Sequence, residues 1–104
     1  MEELQAKRML ASFDRFRGRE TKPLPPIEDS ARRWYNEVYL HTVNQVPEEL
    51  RGRVEPAQVF HEILEHRWYL GEQAGHDLGL AHATEDYIAN ILPFRTDYGV
   101  ESAS

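Results

Sequence analysis

Residues 55–75 read Glu55-Pro-Ala-Gln-Val-Phe-His-Glu-Ile-Leu-Glu-His-Arg-Trp-Tyr-Leu-Gly-Glu-Gln-Ala-Gly75, and their period decides the fold. Phe60, Ile63, Leu64, Trp68, Leu70 and Ala74 fall at the spacing that lines one stripe of an amphipathic helix. Pro56 suits the first helical position, and Gln58 follows Glu55 by three residues, an arrangement like a capping box. Gly71 and Gly75 lie four apart beside Ala74, and a glycine inside a helix costs about 1 kcal/mol relative to alanine. Together the three predict a place where a neighbouring backbone comes close, and a candidate contact for self-association.

Working outward, three more helices are expected. Residues 3–17 carry Ala6, Met9, Leu10, Phe13 and Phe16 at helical steps, with Gly18 as a stop. Pro23-Leu24-Pro25-Pro26 cannot be helical; it satisfies a P-x-x-P pattern but is expected to be a stiff, extended linker. A second helix capped by Asp29 or Ser30 should run to about Gln45. Its broad face of Trp34, Tyr35, Val38, Tyr39, Thr42, Val43 and Val46 is too wide for one neighbour. Pro47 to Gly52 predicts a single helical turn. After a turn at His76–Gly79, Leu80, Thr84, Tyr87, Ile88 and Ile91 define a helix from about Leu80 to Leu92, ended by Pro93. No segment alternates long enough to be a strand. Arg-Trp-Tyr occurs at 33–35 and 67–69, but the residues that follow differ, so no repeat is read.

The expected architecture is therefore all-α, a small bundle of about four helices. It comprises an N-terminal helix and basic segment (1–22), a helical core (23–93) and a loose tail (94–104), one domain overall. A chain of 104 residues is long enough for one core. It has no cysteine, so neither disulfides nor thiolate metal sites arise. No run approaches the roughly 20 apolar residues of a membrane span, and Met1-Glu2-Glu3-Leu4 lacks the features of a secretory signal, which points to a cytoplasmic protein. The net charge of −6 is uneven: residues 1–22 hold six Lys/Arg against four acids, and the remainder six Arg against fourteen. An acidic body argues against nucleic-acid binding.

His61-Glu62-Ile63-Leu64-Glu65-His66 is close to a zinc-peptidase helix. That chemistry needs histidines four apart, projecting toward one ion. Here they are five apart, which places them about 140° apart around a helix. The inverted signature also misses, because position 62 is glutamate. What remains are the pairs His61–Glu65 and Glu62–His66, each able to offer two ligands to a metal completed by His41, His76 or His82, or to act as intrahelical charge contacts. The sequence has no G-x-S-x-G and no glycine-rich phosphate loop, so no catalytic residue and no cofactor is assigned. Of the eleven aromatics, Trp34, Tyr35, Tyr39, Trp68 and Tyr69 are the candidates for a partner surface.

The runs Arg32-Arg33-Trp34-Tyr35-Asn36-Glu37-Val38-Tyr39, Pro47 to Leu70 and Glu72-Gln73-Ala74-Gly75 resemble the C-terminal domain of a bacterial, chiefly actinobacterial, family of unknown function. The likeness extends to Leu4–Leu10 and Asp86-Tyr87-Ile88. Longer members carry an N-terminal lipopolysaccharide-kinase-like domain. The resemblance implies that Met1 falls inside a longer chain, as an excised domain or a shortened gene product. It also implies that phosphotransfer residues lie in the kinase-like part, since nothing here matches a kinase lysine strand, H-R-D or D-F-G. Two readings result. One is a non-catalytic accessory or interaction module partnered with a kinase-like domain. The other is a metal-dependent site at His61, Glu62, Glu65 and His66.

Overall fold

Helix-forming periodicity is realised throughout the computed structural model, which describes residues 3–95. α1 spans Glu3–Gly18, α2 Ile27–Trp34, α3 His41–Val43, α4 Pro56–Ala74 and α5 Leu80–Asn90. A π-helical segment, Tyr35–Leu40, joins α2 to α3, so the chain forms four helical rods, and no strand occurs among the described residues. Short 3₁₀ turns lie at Glu48–Leu50 and Leu92–Phe94. The contacts divide the chain into two compact units, the first ending at His41 and the second beginning at Thr42.

In the first unit, α1 and α2 are joined by polar and edge-on aromatic contacts. The Trp34 indole Nε1–H donates to Ser12 Oγ at 3.1 Å, and Phe13 meets Trp34 edge-on with centroids 6.1 Å apart. Arg17 donates to Ser30 Oγ at 2.9 Å and to the Pro25 carbonyl at 3.1 Å, which pins the proline segment. Ser30 in turn donates to Glu20 at 2.5 Å, and Arg33 pairs with the same carboxylate. Ser30 is thus a fully buried network member and not a cap. The helix begins two residues before Asp29, after Pro26, with no side-chain cap hydrogen bond. The buried stripe expected on α1 also moves. Gln5 and Ser12, seven apart, are buried, whereas Leu10 is exposed. Leu10 lies two residues from Ser12, about 160° around the helix from it.

The π segment has a local consequence. Hydrogen bonding from i to i+5 brings residues five apart onto one side of the helix. Tyr39 accordingly lies 6.1 Å from Trp34, five residues back, while it also stacks on Tyr35, four back (5.4 Å, 17°). In an α-helix, residues five apart would diverge by about 140°.

The second unit has the apolar core. Val46, Val59, Ile63, Ala83, Tyr87 and Leu92 form one buried cluster, with Leu50, Val54, Leu70, Leu80, Ile88 and Ile91 packed against it. Phe60 and Leu64 are buried as well. α4 starts at Pro56 as expected, but Glu55 makes no side-chain cap bond, and Gln58 donates instead to Glu62 at 2.7 Å. α4 ends on Gly75, whose φ of 81° is the left-handed conformation that favours glycine at a helix C-terminus. Gly71 stays helical. A Cβ there would meet the His76 carbonyl oxygen at 3.4 Å, so the close backbone approach is made by the chain's own following loop. Arg67 donates twice to Asp77 (2.9 and 2.6 Å), and the Gly79 N–H donates to the same carboxylate, fixing the α4–α5 turn.

Two apolar expectations on α4 change. The buried line follows Val59, Ile63 and Leu70, while Trp68 and Ala74 are exposed. Trp68 lies five residues beyond Ile63, about 140° off that line. Within the tail expected from residue 94, Phe94 closes a 3₁₀ turn and Arg95 is held to Glu62, its carbonyl accepting from Arg53 at 3.0 Å. Residues 96–104 of that expected tail lie outside the described residues.

These positions predict opposite responses to truncation. Ile63→Ala should cost about 3 kcal/mol, the transfer and cavity terms of a fully buried isoleucine, whereas Leu10→Ala should stay within about 0.5 kcal/mol. Urea denaturation followed by circular dichroism reads both.

Candidate functional site

α4 carries most of the chemistry-bearing residues singled out in the sequence, and the structure assigns each a separate environment. Glu62 is the hub of the largest polar group. Its carboxylate accepts from Arg95 Nε at 3.1 Å and Arg95 Nη2 at 2.6 Å, from the Tyr87 hydroxyl at 2.6 Å and from Gln58 at 2.7 Å. A carboxylate taken this far out of water is stabilised only by such charged and polar donors. Burial, and then the hydrogen bond to Glu62, push the Tyr87 phenol far above its ordinary value.

One turn further on, His66 Nε2 is 2.6 Å from Asp86 Oδ2, and Asn90 donates to the other oxygen at 2.9 Å. The hydrogen bond with His66 holds the Asp86 carboxyl below the usual carboxylate range, against the smaller effect of burial. The His66 ring stacks on Tyr69 at 6.2 Å and meets Tyr87 at 6.4 Å. His61 is buried; its Nε2 lies 3.8 Å from Glu65, and its Nδ1 has no hydrogen-bond partner.

The four metal candidates are therefore not brought to one point. Glu62 is spent on Arg95 and Tyr87, His66 on Asp86, and His61 with Glu65 forms a third, looser pair. Among the described residues no three His, Asp or Glu side chains gather so as to hold a metal ion. His41, His76 and His82, the proposed completing donors, are exposed. Asp86, Tyr87 and Arg95, which the sequence reading did not link to α4, lie 20 to 33 residues from their partners. No local spacing signals such pairs.

The aromatic candidates separate into two classes. In the first unit, Trp34 and Tyr39 are half-buried, and Tyr35 is exposed on top of Tyr39. In the second, Trp68 is 65% and Tyr69 52% exposed, side by side on α4. A groove of about 420 Å³ also opens in the second unit, lined chiefly by Val43, Val46, Leu50, Val54, Pro56 and Val59. Arg51 at its rim is turned back on the chain, donating to the Val46 and Asn44 carbonyls.

The described residues form an all-helical structure in which Glu62, His66 and Arg67 of α4 serve internal pairing while Trp68 and Tyr69 reach the surface. The family described as Domain of unknown function (DUF4032) matches residues 1–92, and the chain belongs to it. No curated protein and no solved structure matches the chain. No described helix is long and apolar enough to cross a membrane.

Glu62→Ala should lower stability by about 2 kcal/mol, because the buried Tyr87 hydroxyl loses its acceptor while Arg95 can rehydrate. The pH dependence has two arms. The folded Tyr87 keeps its proton above about pH 10, where the unfolded phenol ionises, so stability is present below that pH and falls as pH rises past it. Asp86 acts in the opposite sense: its folded value is depressed, so its contribution is present above about pH 4 and is lost as pH falls. Urea midpoints measured across pH should show Tyr87→Phe flattening the alkaline arm and Asp86→Asn flattening part of the acid arm.

Proposed function

We propose that this chain is a non-catalytic accessory module that binds a protein partner through the exposed aromatic face of α4. The partner in this reading is the lipopolysaccharide-kinase-like domain that the resemblance to longer bacterial, chiefly actinobacterial, chains implies. The observation that carries it is the exposure of Trp68 and Tyr69 next to each other on the helix that also bears the core. Tryptophan and tyrosine offer large contact areas with few rotatable bonds and dominate the energetics of protein interfaces. The remaining groups of α4 favour the same reading. Glu62, His66 and Arg67 each bridge to another part of the second unit, a structural use that holds the surface still.

The full chain, mixed with a separately produced kinase-like region of a longer family member, should co-elute and give a measurable heat of binding. Trp68→Ala with Tyr69→Ala should weaken that association roughly thirtyfold, with helical circular dichroism unchanged. Absence of any association at about 50 µM of wild-type chain would rule out the partner.

A further inference from the structure

We infer that Pro23-Leu24-Pro25-Pro26, in the first unit, is a preset extended ligand for a partner domain whose groove is lined by tryptophan and tyrosine. It is a second surface and depends on nothing in the α4 reading. A P-x-x-P run adopts a left-handed extended helix of three residues per turn, which aromatic grooves recognise along its edges. The segment has the backbone for it. Pro26 has φ −55° and ψ 146°, and the peptide bonds from Pro23 to Pro26 are trans. Pro23, Leu24 and Pro26 are exposed, and only Pro25 is partly buried. With a period of three, Pro23 and Pro26 share one edge, Leu24 lies on a second and Pro25 on the third. That third edge is the one the chain itself holds, because the Pro25 carbonyl accepts from Arg17 Nη1 at 3.1 Å. Two edges are left open together. Among the described residues the Pro23 and Leu24 carbonyls accept no hydrogen bond from the chain, so an indole N–H or a phenol of the groove can reach them.

Both ends of the segment are tied down as well. Arg17 also donates to Ser30 Oγ at 2.9 Å, and Ser30 donates to Glu20, the carboxylate that pairs with Arg33. Glu20 before the prolines and Ser30 after them are thereby joined through buried groups. A ligand held in this way loses less conformational entropy on binding than a free proline-rich strand. The flanks give it a direction. Arg19 and Lys22 precede the last three residues of the run, are exposed and have no carboxylate partner among the described residues, whereas the exposed Glu28 follows it. The complementary groove has carboxylates at the end that meets Arg19 and Lys22.

The probe is an array of isolated SH3 and WW domains, which carry aromatic grooves of this kind, titrated into the full chain labelled with nitrogen-15. Proline has no amide N–H, so Leu24 is the single amide reporter within the run. At least one domain should bind with a Kd at or below about 100 µM, shifting the Leu24 amide in a saturable way and leaving the Trp68 indole unmoved. Pro23→Ala with Pro26→Ala should weaken that binding roughly tenfold. Should circular dichroism show that the double proline variant misfolds, Leu24→Glu, at an exposed position, is expected to give the same loss. Arg17→Met should weaken binding severalfold by releasing the segment, whereas Leu10→Ala, exposed on α1, should leave it unchanged. The inference is overturned if no domain of the array binds at about 500 µM, or if the shifts fall on Trp68 and not on Leu24. Unchanged affinity in the proline, Leu24 or Arg17 variant overturns it equally.

Discussion

The Glu62 carboxylate is the point on which the second unit depends. It is carried by α4, accepts the Tyr87 hydroxyl from α5, and holds Arg95 from the segment beyond the last 3₁₀ turn. A carboxylate 15% exposed would be costly without these donors, and with them it becomes a specific three-way connection. Apolar packing alone is tolerant of sliding. Ile63, Ala83, Tyr87 and Leu92 could meet in more than one register, but the two-pronged Arg95 contact and the Tyr87 hydroxyl select one. Arg67 with Asp77 and His66 with Asp86 add independent fastenings along the same pair of helices.

That use of polar residues separates structure from surface on a single helix. One side of α4 carries Val59, Ile63 and Leu70 into or against the core. Polar residues next to it reach across to α5, its turn and its following segment. The part that remains displays Trp68 and Tyr69 with Glu72. The aromatic pair is therefore mounted on the best-anchored element of its unit, the condition under which exposed aromatics lose little entropy when a partner arrives. In the first unit the π segment produces a different aromatic arrangement, with Tyr39 between Trp34 and Tyr35. Nothing in the local sequence of Tyr35–Leu40 announces it, since the same residues are compatible with an ordinary α-helical period.

Much of the secondary structure was legible because it depends on local physics. Pro56 at the start of α4, Gly75 in a left-handed conformation at its end, and Gly52 after the 3₁₀ turn follow from the backbone preferences of proline and glycine. The separation of His61 from His66 followed from helix geometry, and the structure gives the two residues different partners. Burial was less legible. Leu10, Trp68 and Ala74 fit an apolar period and are exposed, while Gln5, Ser12 and Ser30 are polar and buried. A period identifies a stripe about 100° wide. The residues at its edges are sorted by neighbours that come from elsewhere in the chain.

By itself, then, the sequence determined the all-helical class, where α4 begins and ends, and that its two closely spaced histidines cannot share a tetrahedral ion from one helix. These follow from residues acting on their immediate neighbours, over one or two turns. Only the tertiary structure decided which side chains are paired and which are displayed. Glu62 finds Arg95 across 33 residues and His66 finds Asp86 across 20, distances at which no periodicity carries information. Trp68 and Tyr69 are what α4 displays once those long-range pairs have turned Glu62 and His66 toward the rest of the unit.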